Sequence, residues 1–171
     1  APIKKLRSQI ESLGKTNSSV LIYGETGTGK EMVAQSIHSN SKRKNEIFLS
    51  QNCSAIPSNL LESILFGTTK GSYTGAENRA GIFEAANGGT IFLDEINSMD
   101  MNMQSKILKV IEEKKITRIG SVKEIPVDVR ILSAINEDPH QCMVEGKLRS
   151  DLFYRLATVL IDVPSLRERQ E

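Results

Sequence analysis

The sequence predicts an α/β fold: a five-stranded, mainly parallel sheet flanked by helices in three layers. Three observations predict it. Short apolar runs alternate with stretches of helical periodicity, the pattern that strand–helix–strand units require. A glycine-rich loop, Gly24-Glu25-Thr26-Gly27-Thr28-Gly29-Lys30, leaves one apolar run and opens a helix. A later apolar run, Ile91-Phe92-Leu93, ends in Asp94-Glu95.

The elements follow in order. Ile3, Leu6, Ile10 and Leu13 recur at helical spacing, and Gly14 stops that helix. Ser19 to Tyr23 is the first buried strand, and Met32, Val33 and Ile37 mark the helix after the glycine loop. Ile47-Phe48-Leu49 is the second strand; Leu60, Leu61, Ile64 and Leu65 lie on a helix after Pro57. A short helix carries Ile82, Phe83 and Ala86 and stops at Gly88-Gly89, and Thr90 to Leu93 is the third strand. Met103, Ile107, Val110 and Ile111 give a longer amphipathic helix, and Lys114 to Pro126 reads as a polar hairpin. Val129 to Ala134 and Thr158 to Val163 are the last two strands, with one helix near 147–156 between them. Leu166 to Glu171 reads as the start of a further charged helix, so the chain is expected to be a piece of a longer protein.

At 171 residues, one domain with a sizeable core is expected. A formal charge of +1 gives no general electrostatic case for nucleic acid or membrane binding. Cys53 and Cys142 lack CxxC spacing and read as reduced thiols of a cytoplasmic protein. His38 and His140 are too isolated for a metal site, and no run approaches the roughly 20 apolar residues of a membrane span.

The loop has the Gly-x-x-x-x-Gly-Lys spacing of a phosphate loop, in the strand–helix context that motif requires. Its glycines let backbone N–H groups turn toward phosphates at the positive end of a helix, with Lys30 reaching the β- and γ-phosphates. Glu31 stands where the generic pattern has a magnesium-binding Ser or Thr, so magnesium must lean on Asp94 and water. Asp94-Glu95 lies where a buried strand emerges at the ligand-binding edge of such sheets. Asp94 is assigned to magnesium through water, and Glu95 to polarising the attacking water. Gly71-Ser72-Tyr73-Thr74-Gly75-Ala76 reads as an exposed, flexible segment, neither strand nor helix.

Together these residues resemble the AAA+ domain of bacterial enhancer-binding proteins, the nitrogen-regulator-type activators of sigma-54 RNA polymerase. The resemblance runs from Val20 to Arg169. Gly24 to Glu31 is similar to that family's phosphate loop, glutamate included. The segment 88–96 is similar to its acidic-strand motif, and 71–76 resembles its GAFTGA loop, with Ser72 for alanine and Tyr73 for phenylalanine. The resemblance implies ATP hydrolysis with magnesium in a ring, usually a hexamer. The 71–76 loop would contact sigma-54, and closed promoter complexes would be converted to open ones. It implies that Asn52 holds Glu95 until nucleotide state releases it, and that Asn136 senses the γ-phosphate, with Ile135 replacing the usual threonine. Arg149 and Arg155 match an arginine-finger helix; six apart, they could project from a similar face toward a neighbouring subunit's nucleotide. The family's helical lid, sensory domain and DNA-binding domain fall outside 1–171, so DNA is reached only through a domain absent here, and no membrane partner is implied. The nearest rival in mechanism is another AAA+ ATPase, such as a clamp loader or helicase initiator, and the 71–76 loop and Glu31 argue against it. The alternative is a nucleotide-binding core or scaffold without appreciable turnover.

Overall fold

Five strands form the central sheet of the computed structural model, which describes residues 2–54 and 56–165. They are β1 (Val20–Tyr23), β2 (Phe48–Asn52), β3 (Thr90–Asp94), β4 (Arg130–Ile135) and β5 (Val159–Asp162). Among the described residues seven α-helices connect and cover them: α1 (Pro2–Gly14), α2 (Lys30–Ser39), α3 (Ser58–Phe66), α4 (Ile82–Ala85), α5 (Met101–Glu113), α6 (Pro139–Val144) and α7 (Ser150–Leu156). The sheet order is β2–β3–β4–β1–β5, and every neighbouring pair is parallel.

Successive strand residues point to opposite faces, so a sheet covered on both sides needs apolar residues at every position. Apart from Thr90, Asp94, Arg130 and Ser133, the central strands meet that demand. Leu21, Ile91, Leu93, Ile131 and Ile135 join one core with Leu61 of α3, Phe83 of α4, Ile107 of α5 and Leu152 of α7. Val20, Ile22, Phe92, Leu132 and Ala134 join the other core with Leu6 of α1 and Val33 and Ile37 of α2. The expected three-layer α/β architecture is therefore present. Among the described residues no helix is long and apolar enough to cross a membrane.

Buried polar groups pin the layers together. His38 on α2 places Nδ1 2.8 Å from Thr90 Oγ1 and Nε2 3.0 Å from Glu46 O. Because a carbonyl only accepts, Nε2 carries the proton and Nδ1 accepts from the Thr90 hydroxyl. Asp100 caps α5 by accepting from Met103 N at 2.8 Å.

The polar hairpin expected over 114–126 is present: Lys115–Ile116 pairs antiparallel with Ile125–Pro126. A second ribbon, Gly67–Thr68 with Arg79–Ala80, closes the base of residues 69–78. The helix expected near 147–156 is α7, and a further helix, α6, precedes it in the connection from β4 to β5. α6 starts at Pro139 because the Asp138 side chain accepts from His140 N at 2.9 Å, and α7 begins only at Ser150. The charged helix expected from Leu166 lies outside the described residues.

Gly89 marks the tightest backbone approach at the sheet. A Cβ there would lie 2.1 Å from Ile47 O, the acceptor of the Thr90 amide. Gly89→Ala is therefore expected to lose about 2 kcal/mol or more in urea denaturation, as overpacking against immovable backbone does. An unchanged midpoint would contradict this account of the junction.

Candidate functional site

The parallel order brings three strand ends together. β4 lies between β1 and β3, so the chains leaving β1 and β3 are two strand spacings, roughly 10 Å, apart. The glycine loop leaves β1, Asp94-Glu95 ends β3, and Asn136 follows β4 between them.

Gly24 N donates to Ile135 O at 3.3 Å, which ties the start of the loop to the end of β4. Gly27 and Gly29 have φ of +83° and +85°, a conformation that a side chain would strain. These turns wrap the loop around Lys30, which is only 8% exposed. Its Nζ donates to Gly24 O at 2.8 Å and Glu25 O at 3.0 Å. Buried Thr28 braces the same turn, its Oγ1 donating to Glu25 O at 2.8 Å. The first-turn amides of α2 have no helical carbonyl partner, so loop and helix offer N–H donors and one ammonium to a phosphate chain. Thr26 and Glu31 are exposed at its rim.

Across β4, Asp94 is half-buried, and its Oδ1 accepts from Glu95 N at 2.9 Å. Burial, above all, holds the Asp94 carboxyl above the usual range; Lys30 and the Glu95 amide pull it down, while the Glu95 and Glu31 charges push it up. Glu95 adopts φ 55° and ψ 54°. For a residue with a Cβ this left-handed conformation costs roughly 1–2 kcal/mol, and such strain gathers at functional sites. The result is a desolvated carboxylate beside a second one. Such oxygen donors fit magnesium, which keeps most of its water and takes one or two protein carboxylates.

The remaining expected residues divide. Asn136 is half-buried beside this edge, and its Oδ1 accepts from Asn97 Nδ2 at 3.2 Å. Asn97 lies two residues past Glu95, so it links the acidic turn to the end of β4. Asn52 pairs with Asp94 in the β2–β3 register. The hydrogen bond expected between Asn52 and Glu95 is not formed. Ser54 sits closer in sequence and takes the Asn52 Oδ1, through its amide at 2.8 Å and its hydroxyl at 2.6 Å. Ile135 is fully buried in the core.

Arg149 and Arg155 do not share a helix. Arg149 is the residue before α7, in extended conformation, and only Arg155 lies on the helix. The Arg149 guanidinium makes a two-pronged pair with Asp151, at 3.0 and 2.8 Å. Arg155 is more exposed and approaches Glu112 at 3.8 Å. Sequence reasoning missed Gln104, a fully buried side chain on α5. Its Nε2 donates to Met99 O and Lys147 O, and its Oε1 accepts from Arg149 N at 2.9 Å. Gln104 thus fixes the backbone that carries Arg149 to the segment following Glu95. A polar residue on the apolar stripe of α5, three and four positions before Ile107 and Leu108, was the readable signal.

Residues 71–76 form a turn outside the core. Tyr73 is 55% exposed and Thr74 is exposed, while Ala76 is buried and its amide donates to Tyr73 O at 3.0 Å. Gly71 and Gly75 take φ of +88° and +81° at either side. The base of this turn is bonded to the 115–126 hairpin: Thr69 N donates to Ile119 O at 3.1 Å and Ile119 N to Gly67 O at 3.0 Å.

With this geometry in hand, comparison with known proteins decides the family. The Sigma-54 interaction domain matches residues 1–162. The chain belongs to that family. Within it, the chain is 55% identical to the transcriptional activator RocR of Bacillus subtilis over 157 residues, 92% of this chain and 34% of RocR. It is 46% identical to the transcriptional regulatory protein GlrR of Escherichia coli over 168 residues, 98% of this chain and 38% of GlrR. The chain thus spans about a third of the length of the curated relatives it matches. NtrX from Brucella abortus superposes with a TM-score of 0.91 at 40% identity, covering 98% of this chain and 38% of NtrX. NtrX in complex with ATP superposes at 0.89 with 39% identity, over 96% of this chain and 37% of that one. The P-loop NTPase domain of an Escherichia coli sigma-54 activator matches at 0.66 with 16% identity, over 96% of this chain and 95% of that one, a likeness of fold. The sigma-54 interaction domain carries its glycine loop, acidic strand end and exposed turn on the elements described above.

The raised pKa of Asp94 has a sign for stability. Folding disfavours its charged form, so the destabilisation is full above the folded pKa and disappears as pH falls toward the ordinary value of 3.8. Asp94→Asn is expected to raise the melting temperature at pH 7.5, by an amount that shrinks on acidification. A variant that melts lower at pH 7.5 would contradict the desolvation account.

Proposed function

We propose that this domain hydrolyses ATP at sites shared between copies in a ring, usually six in number, and uses the cycle to remodel sigma-54 RNA polymerase for transcription. One observation carries the reading: a buried lysine in a glycine loop and a strained Asp94-Glu95 turn flank Asn136 at adjacent strand ends. The family, and the existence of NtrX in complex with ATP, support it.

In this reading ATP and water become ADP and phosphate. The loop amides of 24–29 and the Lys30 ammonium bind the phosphates, with Lys30 exchanging Gly24 O and Glu25 O for phosphate oxygens. A magnesium ion held through water by Asp94 would neutralise charge on the β- and γ-phosphates. Glu95 orients the attacking water and takes its proton. Asn136 reads the γ-phosphate, and Asn52 leaves Ser54 to hold Glu95 in another nucleotide state. Arg149 and Arg155, both on an accessible face, reach the neighbouring copy's nucleotide, with Arg149 releasing Asp151 to do so. The loop 71–76 presents Tyr73 and Thr74 to sigma-54. DNA is engaged by a domain outside this chain, and the setting is the cytoplasm.

The second reading, a nucleotide-holding scaffold, is favoured by one observation: Arg149 is already paired within its own chain. Phosphate release separates the two. Specific activity is expected to climb with protein concentration as copies assemble, whereas a scaffold stays flat. Glu95→Gln is expected to lose at least ~10²-fold in rate while retaining ATP binding, and Arg149→Ala about 10³-fold. Mixing these two variants is expected to restore activity, because a Glu95→Gln copy lends its Arg149 to a neighbour with an intact Glu95. No recovery in the mixture would refute a shared site.

The role of the turn is tested separately. Thr74→Ala is expected to leave ATP hydrolysis within about twofold, since the residue lies outside the phosphate-binding elements, while abolishing sigma-54-dependent promoter opening in the full-length parent. Normal promoter opening by that variant removes the 71–76 turn from the mechanism.

A further inference from the structure

Arg130 opens β4, at the opposite end of that strand from Asn136 and so about 20 Å from the nucleotide site. It is 2% exposed and has no carboxylate partner among the described residues. Its Nε donates to Ser18 O at 3.1 Å and its Nη2 to Leu13 O at 2.7 Å, while its Nη1, closed off from solvent, makes no hydrogen bond among the described residues. Buried charges in folded proteins are ordinarily paired, and a guanidinium is always charged near neutrality. Burial, reinforced by the neighbouring Arg43 charge, pushes the Arg130 pKa down to about 10.

A cavity of about 280 Å³ adjoins this residue, lined by Lys15, Thr16, Asn17, Ser41, Lys42, Arg43 and Arg130. Four of those seven are basic and none is acidic. Arg43 is occupied: it donates to Asn17 Oδ1, Gly89 O and Asp128 O, and pairs with the Asp128 carboxylate at 2.8 Å. Asp128, 77% exposed, therefore answers Arg43 and leaves Arg130 without a counter-charge. Lys15 and Lys42 are exposed and make no ion pair among the described residues. The volume is several times the roughly 30 Å³ share of one water, enough for a tetrahedral oxyanion with its solvent.

We propose that this cavity is a second anion site, distinct from the glycine loop, which takes a phosphoryl dianion between Arg130, Lys15 and Lys42. The anion supplies the counter-charge that Arg130 lacks and engages the two exposed ammonium groups at the rim. Since the cavity is walled by the turns after α1 and α2, an occupant ties both turns to the amino-terminal edge of the sheet.

Amide shifts of the 171-residue chain, titrated with inorganic phosphate at constant ionic strength, test this directly. Saturable shifts are expected at 15–17, 41–43 and 130, separable from any at 24–31, and absent when chloride replaces phosphate. The double variant Lys15→Ala/Lys42→Ala alters only exposed positions and so keeps the fold. It is expected to weaken the phosphate affinity of this cluster at least ~10-fold, while leaving any response at 24–31 unchanged. O-phospho-L-serine in a parallel titration distinguishes a phosphoryl group carried on a side chain, which shifts the same residues, from the free ion, which alone then binds. Shifts confined to the glycine loop, equal shifts with chloride, or an affinity untouched by the double variant would each overturn the proposal.

Discussion

The parallel register of β1, β4 and β3 is the constraint on which the candidate site rests. Tyr23 lies opposite Ile135, and Leu93 lies opposite Ser133. That alignment makes the glycine loop, Asn136 and the Asp94-Glu95 turn leave the sheet at one level. A slip of one residue would turn every side chain of a strand to the other face and exchange the two cores. The double-sided apolar packing thus does more than stabilise the sheet: it excludes the alternative registers in which the loop and the acidic turn would be out of step.

Against that rigid frame the site itself is costly. Asp94 is desolvated beside like charges, Glu95 sits in a backbone conformation that disfavours a Cβ, and Asn97 leaves its Oδ1 without a partner. Each feature opposes stability, and all three fall within four residues. Functional sites concentrate such features because the surrounding core over-determines the backbone. Here the over-determination comes from β3, whose Ile91, Phe92 and Leu93 are fully buried.

Much of this was legible. Strand runs, the glycine loop and the acidic end announced themselves through composition and spacing that depend only on neighbouring residues. What escaped depends on tertiary approach. α6 is six residues with little periodicity, although Asp138 followed by Pro139 was a readable start signal. The 67–68/79–80 ribbon has two residues per strand and exists because Gly67 and Gly81 let backbones approach within distances no Cβ allows. The split of Arg149 from α7 was invisible because its partners are an aspartate two residues on and a glutamine 45 positions back. Asn52 was found as a residue of interest, but its choice between Ser54 and Glu95 is a matter of local geometry.

One feature of the exposed turn reaches beyond the turn itself. Its base and the neighbouring hairpin are joined largely through main-chain atoms of Gly67, Thr69 and Ile119, while Gly120 packs so closely on Ser72 that a Cβ would fall 2.4 Å from it. Main-chain bonds carry no side-chain identity, so this weld tolerates drift at almost every other position of both ribbons. The side chains at the tips of such a joined pair can therefore change while the connection between the two ribbons stays the same.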